Sequence, residues 1–103
     1  MNPVAGGFQW DRGNRAKCQK HGVSAAEIEQ VFDRPIAVFP DPAHSETEER
    51  LKAICRTDAR RTILIVFALR ETAGVRLIRP ISARYMHAKE IVHYEKEIAK
   101  TEN

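Results

Sequence analysis

The chain has 103 residues, 43% of them hydrophobic and 30% charged, with a formal net charge of +3; this suits one domain, residues 1–103, that builds its own core. Its longest apolar run, Ile63–Leu69, is far too short for the roughly 18 residues of a membrane span, so a membrane helix is excluded. The start MNPVAGGFQW has neither the basic region nor the apolar core of a secretion signal, so a cytoplasmic protein is expected, with Cys18 and Cys55 as single, at least partly buried thiols.

In chain order, GGFQW predicts a short strand with Phe8 and Trp10 on one face. Trp10 is read as a core anchor and Asp11 as the cap of a helix running to about Lys20, which Gly22 ends in the left-handed position. Ser24 and Glu27 form a capping box, with Val23 and Ile28 at the staple positions. Ile28, Val31 and Phe32 stripe a second helix that Pro35 helps to stop. IAVF is a short strand, and PDPAHSETEE a polar loop. In RLKAICRT, Leu51, Ala53 and Cys55 alternate with Arg50, Lys52 and Arg56, with Ile54 as the exception. TILIVFAL is apolar at both parities and reads as a central strand. ETAG turns a hairpin into VRLIRPISAR, where Pro80 implies an edge, a bulge or the strand's end. YMHAKEIVHYEKEIAK is a last helix with His87, Ile91, Tyr94 and Ile98 on one stripe, so His87 is expected beside Tyr94 on the sheet-facing side or at the rim. The order β-α-α-β-β-β-β-α predicts an α+β fold: a curved antiparallel sheet with two N-terminal helices and one C-terminal helix, all on one side.

Charge is unevenly spread. Residues 50–84 hold nine Lys and Arg against Asp58 and Glu71, a net of +7, whereas residues 27–49 hold seven Asp and Glu against Arg34, a net of −6. A basic block on the sheet suits a polyanion, nucleic acid first, against the plainer reading of a solvated face. Arg76, Ser82 and Arg84 share parity, as do Arg50, Lys52 and Arg56, and aligned they form one positive surface; Arg79 has the opposite parity unless a bulge shifts it. His21, His44, His87, His93, Cys18 and Cys55 lack zinc-ligand spacing, so no metal is expected. No phosphate-binding glycine loop or Gly-x-Ser-x-Gly elbow is present, and no cofactor is expected. With RNA as partner, the chemistry to consider is attack of a ribose 2′-hydroxyl on the neighbouring phosphate, which needs a base, an acid and cations. His21, His87, Glu90 and Tyr94 are candidates for proton transfer, and Lys20, Arg50, Arg79 and Arg84 for holding phosphate.

FQWDRGNRAKCQKHGVS, EERLKAICRT and IRPISARYMHAKEIVHYE together resemble the BrnT family of small bacterial toxins, from Phe8 to about Glu97. The resemblance implies a fold similar to RelE-type ribonuclease toxins and an activity that cleaves RNA, free or ribosome-bound, and halts translation. It also implies a neighbouring ribbon-helix-helix antitoxin, a toxin–antitoxin heterotetramer, and operator DNA bound only through the antitoxin. The family's Lys-His-Gly falls on Lys20, His21 and Gly22, its Glu-Arg on Glu49 and Arg50, its Ser-Ala-Arg on Ser82, Ala83 and Arg84, and its helix Glu and Tyr on Glu90 and Tyr94. Taken together, the resemblance and the basic block give His21, Arg50, Arg84, Glu90 and Tyr94 in catalysis, and Lys20, Lys52, Arg56, Arg76 and Arg79 on RNA. A non-catalytic RNA- or protein-binding module of the same fold is the alternative, and a metal-dependent hydrolase a weaker third.

Overall fold

Apolar residues at both parities make one strand the centre of the sheet. The computed structural model describes residues 6–34, 36–42, 48–58 and 60–102, with side chains as far as residue 96. β1 (Ala37–Pro40), β2 (Leu51–Arg56), β3 (Thr62–Thr72) and β4 (Val75–Tyr85) form one antiparallel sheet in the order β1-β2-β3-β4. β3 and β4 are joined by Ala73 and Gly74, with φ of 53° and 79°; two left-handed residues are what a tight hairpin with right-twisted strands requires.

Each face of β3 has its own cover. Ile63, Ile65 and Phe67 point to one side, where Ala53, Cys55, Ile78 and Ala83 join them against Cys18, Val23, Ile28, Val31 and Phe32 of the α1 (Arg12–Gln19) and α2 (Ala25–Val31) layer. Ile54 and Leu64 point to the other, under Met86, Phe39, and Ile91 and Tyr94 of α3 (Ala88–Glu102). The expectation of helices on one side is therefore corrected: α3 lies across the sheet from α1 and α2. Ile54, the residue that breaks the alternation in β2, is the physical reason, because a second apolar patch needs a second cover.

The predicted N-terminal strand is also corrected. Phe8 makes a single parallel bridge to Ile78. Around it, the Gly6 and Gln9 N–H groups donate to the Arg76 and Ile78 carbonyls at 2.7 and 2.8 Å, and Ile78 N–H donates to Gly7 at 3.0 Å. Helix α1 begins too soon afterwards for a longer ladder. A Cβ at Gly6 would lie 2.3 Å from Val75 Cγ1, so this close approach needs glycine. Phe8 and Trp10 pack half-buried against the core.

The caps fall where expected. Asp11 Oδ1 accepts from Asn14 N–H at 2.9 Å, and Asn14 Oδ1 accepts from Asp11 N–H at 2.7 Å, a closed capping box. Gly22 has φ 86° after α1. Ser24 accepts from Glu27 N–H at 3.1 Å, with Val23 and Ile28 fully buried at the staple positions. The expected Ser24–Glu27 capping box is corrected to a one-way cap: Glu27 turns its carboxylate not to the Ser24 N–H but to the Tyr85 hydroxyl, which donates at 2.5 Å and ties α2 to the end of β4. Cys18 and Cys55 are buried thiols not joined in a disulfide, and burial pushes the Cys18 thiol up to about 11. Pro35 and His44 lie outside the described residues, as does the Ile98 side chain.

Two details of β4 place the charged residues around it. Val66 pairs with Ser82 but Phe67 with Pro80, so Ile81 is an extra residue in a β-bulge, and Pro80, fully buried, puts its missing N–H there. Tyr85 still pairs with Ile63 in the sheet, so α3 starts at Ala88 and not at Tyr85. His87 is exposed just before that helix, its N–H donating to Glu90 Oε1 at 3.2 Å and its carbonyl accepting from Ile91 N–H at 3.0 Å. The sheet-facing position expected for His87 is thus corrected: it belongs to the helix start. Among the described residues no helix is long and apolar enough to cross a membrane.

Candidate functional site

The face that carries α3 is ordered by the strand register into rows. Ile54, Leu64 and Arg84 form one row, Lys52, Val66 and Ser82 the next, then Ala68 with Arg79, then Arg70 with Leu77. Successive rows on one face lie about 6–7 Å apart, twice the rise per residue. Ile91 and Tyr94 of α3 pack on the first row together with Phe39. In the later rows Ala68 is fully buried, but Lys52, Val66, Ser82, Arg79, Arg70 and Leu77 are only half-buried, and each row carries a cation.

The bulge sets this composition. Without Ile81 as an extra residue, Arg76 would share a face with Ser82 and Arg84; with it, Arg79 takes that place and Arg76 falls opposite Glu71 on the other face. The grouping of Arg76 with Ser82 and Arg84 is corrected accordingly: Arg76 is exposed, 3.6 Å from Glu71. Arg56 keeps the parity of Lys52 but stands beyond the Ile54 row, exposed at the end of β2.

Each of four cations on this face meets a carboxylate from a different part of the chain. Arg84 donates through both terminal nitrogens to Glu90 at 2.7 and 2.7 Å, a fork-on-fork pair. The guanidinium first, and the His87 N–H second, hold the Glu90 carboxyl down at about 2. The Tyr94 ring packs 5.9 Å from that of Phe39, over the row that holds Arg84. Arg79 donates to Asp11 Oδ2 at 2.9 Å and reaches Gln9 Oε1 at 3.5 Å. Arg70 grips Glu48 with two bonds of 3.0 Å, and Glu48 is held below the usual carboxylate range by Arg70 first, with Arg50 and Arg79 adding to it. Lys52 Nζ stands 4.0 Å from the buried Asp41, whose N–H donates to the Arg50 carbonyl at 2.9 Å. Arg50, one residue before β2 and in phase with Lys52, stands at the edge of the same cluster.

Of the residues singled out in the sequence, Arg50, Lys52, Arg79, Arg84, Glu90 and Tyr94 come together on this face. Lys20 and His21 do not: they follow α1, exposed, in the helical layer across the sheet. The residues missed are Arg70, Asp11, Glu48 and Asp41. Arg70 had a signal, since it shares parity with Leu64, Val66 and Ala68 in β3; the pairing of Asp11 with Arg79, 68 positions on, had none. Among the described residues no three His, Cys, Asp or Glu side chains converge as metal ligands would.

Residues 10–90 match the family described as the ribonuclease toxin BrnT of type II toxin–antitoxin systems. The chain belongs to the BrnT toxin family. The match runs from Trp10, next to the Asp11 cap, to Glu90, the partner of Arg84, so the whole BrnT region contains the cationic face and both ends of its carboxylate frame. Membership makes this BrnT chain a ribonuclease toxin of a type II pair, with a cognate antitoxin as partner. No curated relative matches it.

Proposed function

We propose that the chain, as one domain, cleaves RNA on the half-open part of this face without a metal ion, by attack of a ribose 2′-hydroxyl on the adjacent phosphate. The observation that carries the reading is the bulge at Ile81, which gathers Lys52, Arg79, Ser82 and Arg84 on one surface. Attack adds negative charge at phosphorus, and fixed cations offset that charge without reorganising as it develops. Arg84, Arg79, Lys52 and Arg50 hold the phosphates. Tyr94, packed over the row that holds Arg84, is the group for proton transfer to or from the reacting oxygens. Glu90 is a positioning residue: its two oxygens are taken by Arg84 and its proton affinity is low, so it orients the fork and does not serve as the base. Lys20, His21, Arg56 and Arg76 lie away from this point and are given no step.

In the cytoplasm such cleavage of messenger RNA, free or ribosome-bound, stops translation. A ribbon-helix-helix antitoxin neutralises the toxin in a heterotetramer and supplies the contact to operator DNA.

Incubating the purified full-length chain with single-stranded RNA in excess EDTA tests the chemistry. The wild type is expected to cut and to leave 2′,3′-cyclic phosphate ends. Arg84→Ala is expected to lose about 100-fold or more in rate, the scale for removing a donor to a developing oxyanion, and Tyr94→Phe about 100-fold, the lower end for a proton-transfer group. Cleavage abolished by EDTA and restored by a divalent ion would remove the metal-free mechanism. Binding without cleavage of free or ribosome-bound RNA would favour the non-catalytic module.

A further inference from the structure

The Asp11 carboxylate has two oxygens with two separate partners. Oδ1 accepts the Asn14 N–H at 2.9 Å and closes the helix cap, whereas Oδ2 takes Arg79 Nη2 at 2.9 Å. The cap itself is anchored. The buried Asn14 side chain receives the Asp11 N–H at 2.7 Å and donates to the Gln9 and Pro80 carbonyls at 2.9 and 2.8 Å. Pro80 is the residue after Arg79 and stands at the bulge. One knot of bonds thus fixes where Asp11 sits, where β4 breaks register, and where Arg79 leaves the strand.

Arg79 is less exposed than Arg70 and Arg84, its side chain at 18% against 42% for Arg70 and 40% for Arg84. Among the described residues Asp11 and Gln9 engage two of its five N–H donors, which leaves donors for a phosphate. An arginine already held in one rotamer has given up its freedom before RNA arrives, so that cost does not count against binding. We infer that Asp11 is a positioning residue for the RNA-cleaving face: through Oδ2 it presets Arg79 for a backbone phosphate, a role separate from its cap and resting on the proposed cleavage of RNA at this face.

Asp11→Asn separates the two roles. The Asn Oδ1 can still cap α1, since Asn is as good a cap as Asp, while its amide puts a donor against the guanidinium in place of an acceptor. Asp11→Ser, another good cap with nothing to face Arg79, is the second variant should Asp11→Asn not fold. The measurements are thermal melting, binding of a fluorescein-labelled mixed-sequence single-stranded RNA, and KM and kcat for its cleavage. They are made on wild type, Asp11→Asn, Arg79→Ala and the double variant. Asp11→Asn is expected to melt within about 3 °C of wild type, to raise Kd and KM about five- to tenfold and to leave kcat within about twofold. The double variant is expected to bind no worse than Arg79→Ala alone. Unchanged or tighter RNA binding by Asp11→Asn, while Arg79→Ala weakens it, overturns the inference and leaves the face standing. Additive losses in the double variant overturn it equally. No effect of Arg79→Ala removes the face as the RNA site, and the inference with it.

Discussion

Arg84 and Glu90 show how one pair can serve both structure and chemistry. The pair bridges the end of β4 and the first turn of α3, and the same carboxylate receives the His87 N–H. Because folding lowers the Glu90 pKa from 4.5 to about 2, the folded state favours the carboxylate. Its contribution is complete above the unfolded value and drains away as pH falls from about 4.5 through about 2. Asp11 and Glu48 are lowered as well, Asp11 chiefly by the Asn14 N–H and then by Arg79, and Glu48 chiefly by Arg70, so they act in the same direction. Thermal melts between about pH 7 and about pH 3 are therefore expected to show a smaller fall for Glu90→Gln than for wild type. Equal falls would show that the fork adds nothing to acid sensitivity.

At the scale of elements, the join between α1 and β4 concentrates its polar bonds in Asn14. Asn14→Ala removes three side-chain hydrogen bonds and leaves the Pro80 carbonyl without its donor in a buried place. A loss of about 2–3 kcal/mol is expected from the unmade bonds, or roughly 8–20 °C in melting temperature at this size. A change near that for an exposed residue would mean that water replaces the amide. These joins mark the boundary of what the sequence makes legible. The two N-terminal helices, the Ser24 and Asp11 caps, the ETAG hairpin and central β3 follow from short-range signals: cap chemistry, glycine after a turn, apolar run length. Ile54 already announced a second apolar face, but only pairing shows that Leu64 and α3 complete it. The Phe8–Trp10 strand failed because parity was present while room for a ladder was not. His87 failed because a helical wheel has no knowledge of where the helix begins. The cationic face was legible as a charge block, yet its membership depended on one unpaired residue that no periodicity shows.

Across the whole molecule, the sheet divides its labour. One face is closed by α1 and α2 over a large apolar cluster, and the other is shared between the smaller α3 cluster and the cations. Salt dependence tells the two faces apart. Removing one cation that touches a phosphate of single-stranded RNA is expected to lower the slope of log K against log salt by about 0.7. Lys52→Ala should show that reduction, and Arg76→Ala, on the opposite face, should leave the slope unchanged; equal changes would mean that RNA wraps both faces. The bulge at Ile81 has a consequence for sequence change as well. Upstream and downstream of it, β4 runs in opposite phase, so a one-residue deletion there acts like a frameshift in three dimensions. Substituting Ile81 changes one side chain, whereas deleting it pairs the strand continuously and exchanges the sides on which Arg79 and Ile78 emerge. In this part of the chain residue count is under tighter constraint than residue identity.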